Sequence, residues 1–276
     1  MADAVAATGT RAIIVSRTNP ETPDSGVRTN PETPDSGVRI SPESAGLAPG
    51  SGGLGGRSAS GGFGAGIEVE IADAGDPATA GRLLDRYDPD AVVLVAGAVP
   101  PMAPLQEQTW ETFSVNWHAD VRIAFEWLRA ALVRPLRPGG RMIVVSSGAA
   151  LNGSPLSGGY AGAKATQRLI TGYAQGEAER AGLDLTFTAV LPRLTPLTTL
   201  GRVGVRAYAD RAGLPADEYA RGMGEPLTPE QAGAAVVELL RADAATIAPA
   251  YLLTSAGLTV TSDSPGRSRK PVPSTS

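Results

Sequence analysis

Short apolar runs alternate with helical spacings along most of this chain. Ala12-Ile13-Ile14-Val15 is a compact apolar run, followed by Ser16 and Arg17, and it predicts a strand. Ile67, Val69 and Ile71 alternate with polar residues, as a half-buried strand requires. Asp76-Pro77 supplies a helix cap and first-turn proline, and the helix runs toward Tyr87. Ala91 to Ala96 is a short apolar run of the kind buried in parallel sheets. From 105 to 132, apolar side chains recur at 110, 113, 117, 121, 125, 128 and 132, which is helical spacing. Trp110, Phe113, Trp117, Phe125 and Trp127 are therefore expected in the core or at a subunit contact. Met142 to Val145 predicts a strand, Ala161 to Arg180 a helix, and Leu185 to Leu191 a strand ending at Pro192-Arg193. Thr228-Pro229-Glu230-Gln231 reads as a capping box opening a helix to about Leu240. Tyr251 to Thr254 predicts the last strand.

Two segments break the pattern. Residues 17 to 27 read R-T-N-P-E-T-P-D-S-G-V, and residues 28 to 38 repeat them identically. A single perfect copy is not a stacked repeat fold. With the Gly/Ser/Pro-rich stretch up to Gly66, it predicts a disordered low-complexity insertion over 18–66, by true insertion or out-of-frame translation. The glycine clusters at 52–56 and 61–66 neither follow a strand nor open a helix, so they read as loops and not phosphate cradles. The Ser/Pro/Arg-rich tail, 261–276, is also expected to be disordered.

Composition narrows the chemistry. At 276 residues the chain is long enough for one α/β domain with a sizeable core. A net charge of −4, with pI near 5.2, argues against a nucleic-acid surface. There is no cysteine, and His118 is the one histidine, so thiolate, histidine-metal and Ser-His-Asp chemistry are not expected. No basic-then-apolar start and no apolar run near the ~20 residues of a membrane span are seen, so a cytoplasmic protein is the default expectation.

What remains is hydroxyls, carboxylates, amides and very few amines: of 24 basic residues only Lys164 and Lys270 are lysine. Lys164 stands four residues after Tyr160, which puts ring and ammonium on one helical face. Opposite charges ~4 Å apart at an effective dielectric of ~20 interact by about 4 kcal/mol, so Lys164 is expected to draw the Tyr160 phenol toward neutrality. Ser147, at the end of a strand, could present its hydroxyl to the same substrate oxygen.

This constellation resembles the short-chain dehydrogenase/reductase family, where a serine lies 13 residues before the tyrosine of a Tyr-x-x-x-Lys motif, as Ser147 lies before Tyr160. The resemblance covers 67–260 well, 1–17 weakly and 18–66 not at all. It implies a Rossmann-like doubly wound parallel sheet in a single α/β domain. It also implies reversible hydride transfer between a nicotinamide cofactor and a small carbonyl/alcohol pair. Tyr160 would be the acid/base, Ser147 would orient the oxygen, and Lys164 would lower the tyrosine pKa and hold the nicotinamide ribose. Asn116 matches the family asparagine whose backbone carbonyl links the lysine to proton exchange.

On the cofactor side, Asp73 matches an adenine-contacting aspartate. Ala96-Gly97-Ala98 resembles the family's Asn-Asn-Ala-Gly turn. Pro192 stands where the family has Pro-Gly, with Thr195 and Thr198 as candidates for the nicotinamide amide. Arg17, just after the second strand, favours NADP(H) over NAD(H) by charge. The family's first strand and Thr-Gly-x-x-x-Gly-x-Gly turn have no counterpart, since residues 1–17 look like the end of the first helix and the second strand. That implies a start downstream of the usual one, a gap in the middle of the sheet, and weak cofactor binding. A remnant that holds no cofactor is the rival expectation. The family also implies a homodimer or homotetramer through the helices at 105–132 and 160–180. Residues 197–226 are expected to form a substrate lid.

Overall fold

The computed structural model describes residues 12–16 and 67–261. The expected helix tail at 1–7, Arg17, the insertion at 18–66 and the tail beyond 261 lie outside the described residues. β1 (Ala12–Ser16) pairs in parallel with β2 (Ile67–Ile71). α1 (Pro77–Tyr87) is next, with the Asp76 carboxylate accepting from the Ala78 amide at 2.8 Å. β3 (Ala91–Leu94) leads to α2 (Trp110–Asn116), a π turn (Trp117–Val121) and α3 (Arg122–Val133). β4 (Gly140–Val145), the short α4 (Ala149–Asn152) and the long α5 (Gly158–Arg180) come next. The chain then forms β5 (Leu185–Pro192), α6 (Thr199–Ala212), α7 (Ala216–Gly222), α8 (Pro229–Arg241), β6 (Ala250–Thr254) and β7 (Gly257–Val260).

The second sheet has the order β3-β4-β5-β6-β7, with the first four strands parallel and β7 antiparallel to β6. β7 was not expected. It returns through a tight turn in which Gly257 takes φ +102, a conformation open to glycine because it lacks a Cβ. Helices cover both faces, as a doubly wound sheet requires. Along β4, Met142 and Val144 face a core shared with α1, α3 and Phe187, while Ile143 faces a second core with Val236 and Leu239 of α8.

The described strands fall into two sheets, and none bridges β1 and β3. Each of those strands therefore keeps an edge unpaired among the described residues. Val15 of β1 nevertheless packs on the core that holds Val92 and Leu94 of β3.

The helical region from 110 to 133 divides its aromatic residues between core and surface. Trp127 is buried, but Trp110, Trp117 and Phe125 are exposed at 69%, 50% and 52%. The buried line is instead Ser114, Asn116, Asp120, Ala124, Leu128 and Ala131. Two causes are visible. The π turn adds a residue, which rotates the faces of α3 relative to α2 by about 100°. Small residues let α2 approach α5 so closely that a Cβ on Gly159 would lie 1.9 Å from the Phe113 carbonyl oxygen. No helix among the described residues is long and apolar enough to cross a membrane.

Candidate active site

Three elements deliver the predicted trio. β4 ends at Val145, and the chain turns at Ser146-Ser147 into α4. The Ser146 hydroxyl donates to the Lys164 carbonyl at 2.7 Å and pins α5 against the strand end. Ser147 accepts from the Ala149 amide at 3.2 Å. α5 begins at Gly158, two residues before Tyr160, so Tyr160 and Lys164 do share a helical face. The Lys164 Nζ lies 5.6 Å from the centre of the Tyr160 ring.

The electrostatics differ from expectation. Lys164 is almost wholly buried, and its Nζ lies 3.1 Å from Oδ2 of Asp120, which is buried too. The Tyr160 pKa is raised, not lowered: burial is the main cause, the Asp120 charge adds to it, and the Ser147 hydroxyl acts the other way. A cation already matched by a carboxylate presents little net charge to the phenol.

Asp120 is the residue that sequence reasoning missed. It lies in the π turn, where Oδ1 accepts from the Ala98 amide at 2.8 Å and from the Asn116 side chain at 3.3 Å. Gln167, one turn beyond Lys164, donates to the Asp120 carbonyl at 2.8 Å. The sequence signal that could have found Asp120 is an acidic residue four positions after Asn116, on the same helical face.

Asn116 is buried, and its side chain donates to the Ala98 carbonyl at 2.7 Å. It thus joins the helix to the turn after β3. Ala96 and Gly97 are exposed on that turn. A Cβ at Gly97 would sit 2.7 Å from the Asp120 carboxylate, so a larger residue there would have to displace it.

The remaining candidates are more dispersed. Asp73 accepts from the Gly75 amide at 2.9 Å and shapes the turn before α1. The Pro192 carbonyl accepts from Gly148 at 2.9 Å, which locks the end of β5 to the Ser147 turn. Thr195 is buried and donates to the Leu227 carbonyl at 2.7 Å, while Thr198 caps α6. Both threonines are thus engaged within the loop. Arg193 takes the family's glycine position without a positive φ, and its amide donates to Leu253 at 2.9 Å. Arg17 lies outside the described residues. A groove of about 630 Å³ between α1 and α3, lined by Arg82, Arg86, Arg129 and Arg134, shares no residue with the trio.

Comparison with solved structures places this fold. The chain is similar to an NAD+-bound xylitol dehydrogenase, with TM-score 0.59 and 18% identity over 67% of this chain and 76% of that one. A short chain dehydrogenase from Mycobacterium avium gives TM-score 0.54 and 21% identity over 71% and 64%. An alcohol dehydrogenase from the archaeon Thermococcus sibiricus, complexed with 5-hydroxy-NADP, gives 0.53 and 23% over 68% and 74%. The fold is that of the short-chain dehydrogenases/reductases. No protein-family model and no curated protein matches the sequence.

In a fold of this type the residues can be tested against a nicotinamide cofactor. An ammonium has three protons. The Val145 carbonyl, at 3.4 Å, takes one, and the Asp120 carboxylate holds the ammonium by charge at 3.1 Å, so Lys164 keeps donor capacity for a ribose hydroxyl. Tyr160 and Ser147 add hydroxyls at the same end of the sheet. The described residues therefore fit the reactive end of such a cofactor.

Proposed function

We propose that this protein is an NAD(P)-dependent oxidoreductase of the short-chain dehydrogenase/reductase type that interconverts a small-molecule carbonyl and alcohol. The observation that carries this reading is the meeting of Ser147, on the turn after β4, with Tyr160 and Lys164, on the first turns of α5, at the carboxyl end of β4. That is where ligands bind in open α/β sheets.

The chemistry follows from the residues. A bound nicotinamide supplies or accepts the hydride. In the reducing direction Ser147 donates a hydrogen bond to the substrate oxygen, and the Tyr160 hydroxyl passes its proton to that oxygen as it becomes an alkoxide. In the oxidising direction the phenolate removes the same proton. Lys164 holds the ribose and Asn116 keeps the turn after β3 in place. Asp73, Ala96, Gly97, Pro192 and Thr195 are the remaining cofactor-side candidates, and Arg17 favours NADP(H) by charge. A homo-oligomer through the helices at 105–132 and 160–180 belongs to the same reading, supported by the exposed Trp117, Phe125, Leu169 and Tyr173.

Among the described residues no strand bridges the edges of β1 and β3, which favours a second reading, a chain that keeps the catalytic half of the fold and holds no cofactor. Titration with NADPH, followed by its fluorescence, separates the two. Micromolar binding that weakens on Lys164→Met supports the enzyme. No binding of NADPH or NADH supports the second reading.

A further inference from the structure

We propose that Asp120 is a positioning residue of this site: its buried carboxylate fixes the Lys164 ammonium, ties it to the Gly97-Ala98 turn, and offsets the influence of that cation on Tyr160. The proposal rests on the reading of Tyr160 as the acid/base and adds a residue that Ser147, Tyr160 and Lys164 do not by themselves require.

The carboxylate is held from every side. α5 contributes Lys164, 3.1 Å from Oδ2, and Gln167 on the Asp120 carbonyl. α2 contributes the Asn116 side chain, and the turn after β3 contributes the Ala98 amide. Gly97 leaves the room the carboxylate occupies. Oδ2 contacts the ammonium but receives no well-aligned hydrogen bond, so charge and not direction holds the pair together. Asp120 stands four residues after Asn116, so the two side chains share one helical face.

The consequence concerns Tyr160. A lone ammonium 5.6 Å from the ring would favour the phenolate. An ammonium paired with a carboxylate is a short dipole whose field falls off faster with distance. The groups that bear on Tyr160 are Lys164 on its own helix, Asp120 from the π turn and the Ser147 hydroxyl. Arg168, the next cation on α5, reaches Thr261 at 3.4 Å instead. With Asp120 in place the Tyr160 proton is retained, which suits the reducing direction.

The test is a tyrosinate absorbance titration of the whole chain. Its six tyrosines are sorted by repeating each titration with Tyr160→Phe. Asp120→Asn keeps an oxygen for the Ala98 amide and removes the charge. Tyr160 is then expected to ionise at least about one pH unit lower than in the wild type. Lys164→Met leaves Asp120 unopposed, so Tyr160 is expected to ionise higher, and this arm decides the matter if Asp120→Asn fails to fold. An unchanged Tyr160 ionisation in a folded variant of either kind overturns the proposal. The readout needs neither cofactor nor substrate, so it stands or falls apart from any turnover measurement.

Discussion

At the residue scale, the site is governed by burial and pairing more than by helical spacing. The four-residue offset of Tyr160 and Lys164 was legible because a helix face fixes which side chains are neighbours. The charge partner was not, because Asp120 reaches Lys164 across two helices, and only the folded packing brings them to 3.1 Å. The sign of the Tyr160 shift has the same origin. Burial and the Asp120 charge raise it, so the phenol stays protonated to beyond its ordinary value of about 10. Carbonyl reduction, which uses the protonated form, should show no loss from Tyr160 until the pH passes that value. Alcohol oxidation, which uses the phenolate, should rise with pH up to it, and pH profiles of kcat/KM in the two directions check both. Gly97→Ala should drive a methyl into the Asp120 carboxylate. The expected cost is about 1–3 kcal/mol of stability, read by thermal melting.

At the element scale, strands were the most legible features and the paired helices the least. Met142–Val145 is a continuous apolar run and Leu185–Leu191 a largely apolar one because both faces of a parallel sheet are covered, and both became strands. The capping box at Thr228 and Gln231 opens α8 as its residue types demand. In the 110–133 region the sequence left core and subunit contact open, because its bulky side chains follow one stripe while small residues line the contact with α5. Gly159→Ala, whose methyl would meet the Phe113 carbonyl, should separate α2 from α5 and lower the melting temperature; a melt equal to wild type would refute that contact. β2 and α1 are joined by Glu70, which is 3% exposed and bonded to Arg82, Arg86 and Tyr87. Burial alone would raise the Glu70 carboxyl, but hydrogen bonds from Arg82 and Tyr87 and the charge of Arg86 outweigh it and hold it below the usual range. A depressed carboxyl contributes stability above its ordinary value, and that contribution is lost as the pH falls through the folded value. Glu70→Gln should therefore cost about 1–2 kcal/mol near neutral pH, with the difference vanishing in acid, as urea melts across pH would show.

At the scale of the whole molecule, the α/β class and the winding of helices on both faces could be read from the alternation of elements. The described strands fall into two sheets, β1-β2 and β3 to β7. β7 was missed because Gly-Leu-Thr-Val is too short to stand out from a loop. The exposed apolar side chains of α3 and α5 predict self-association. Phe125→Asp with Tyr173→Asp should shift the protein to monomer in light scattering, whereas an unchanged mass would exclude that surface. The central claim is that Tyr160 handles the proton in a hydride-transfer reaction. Its most direct test is NAD(P)H consumption with a panel of small ketones and aldehydes, comparing wild type with Tyr160→Phe at matched thermal stability. The account predicts consumption by the wild type and a loss of about 10²–10⁴-fold in the variant. Equal rates in the two proteins, or no consumption by either, would contradict it.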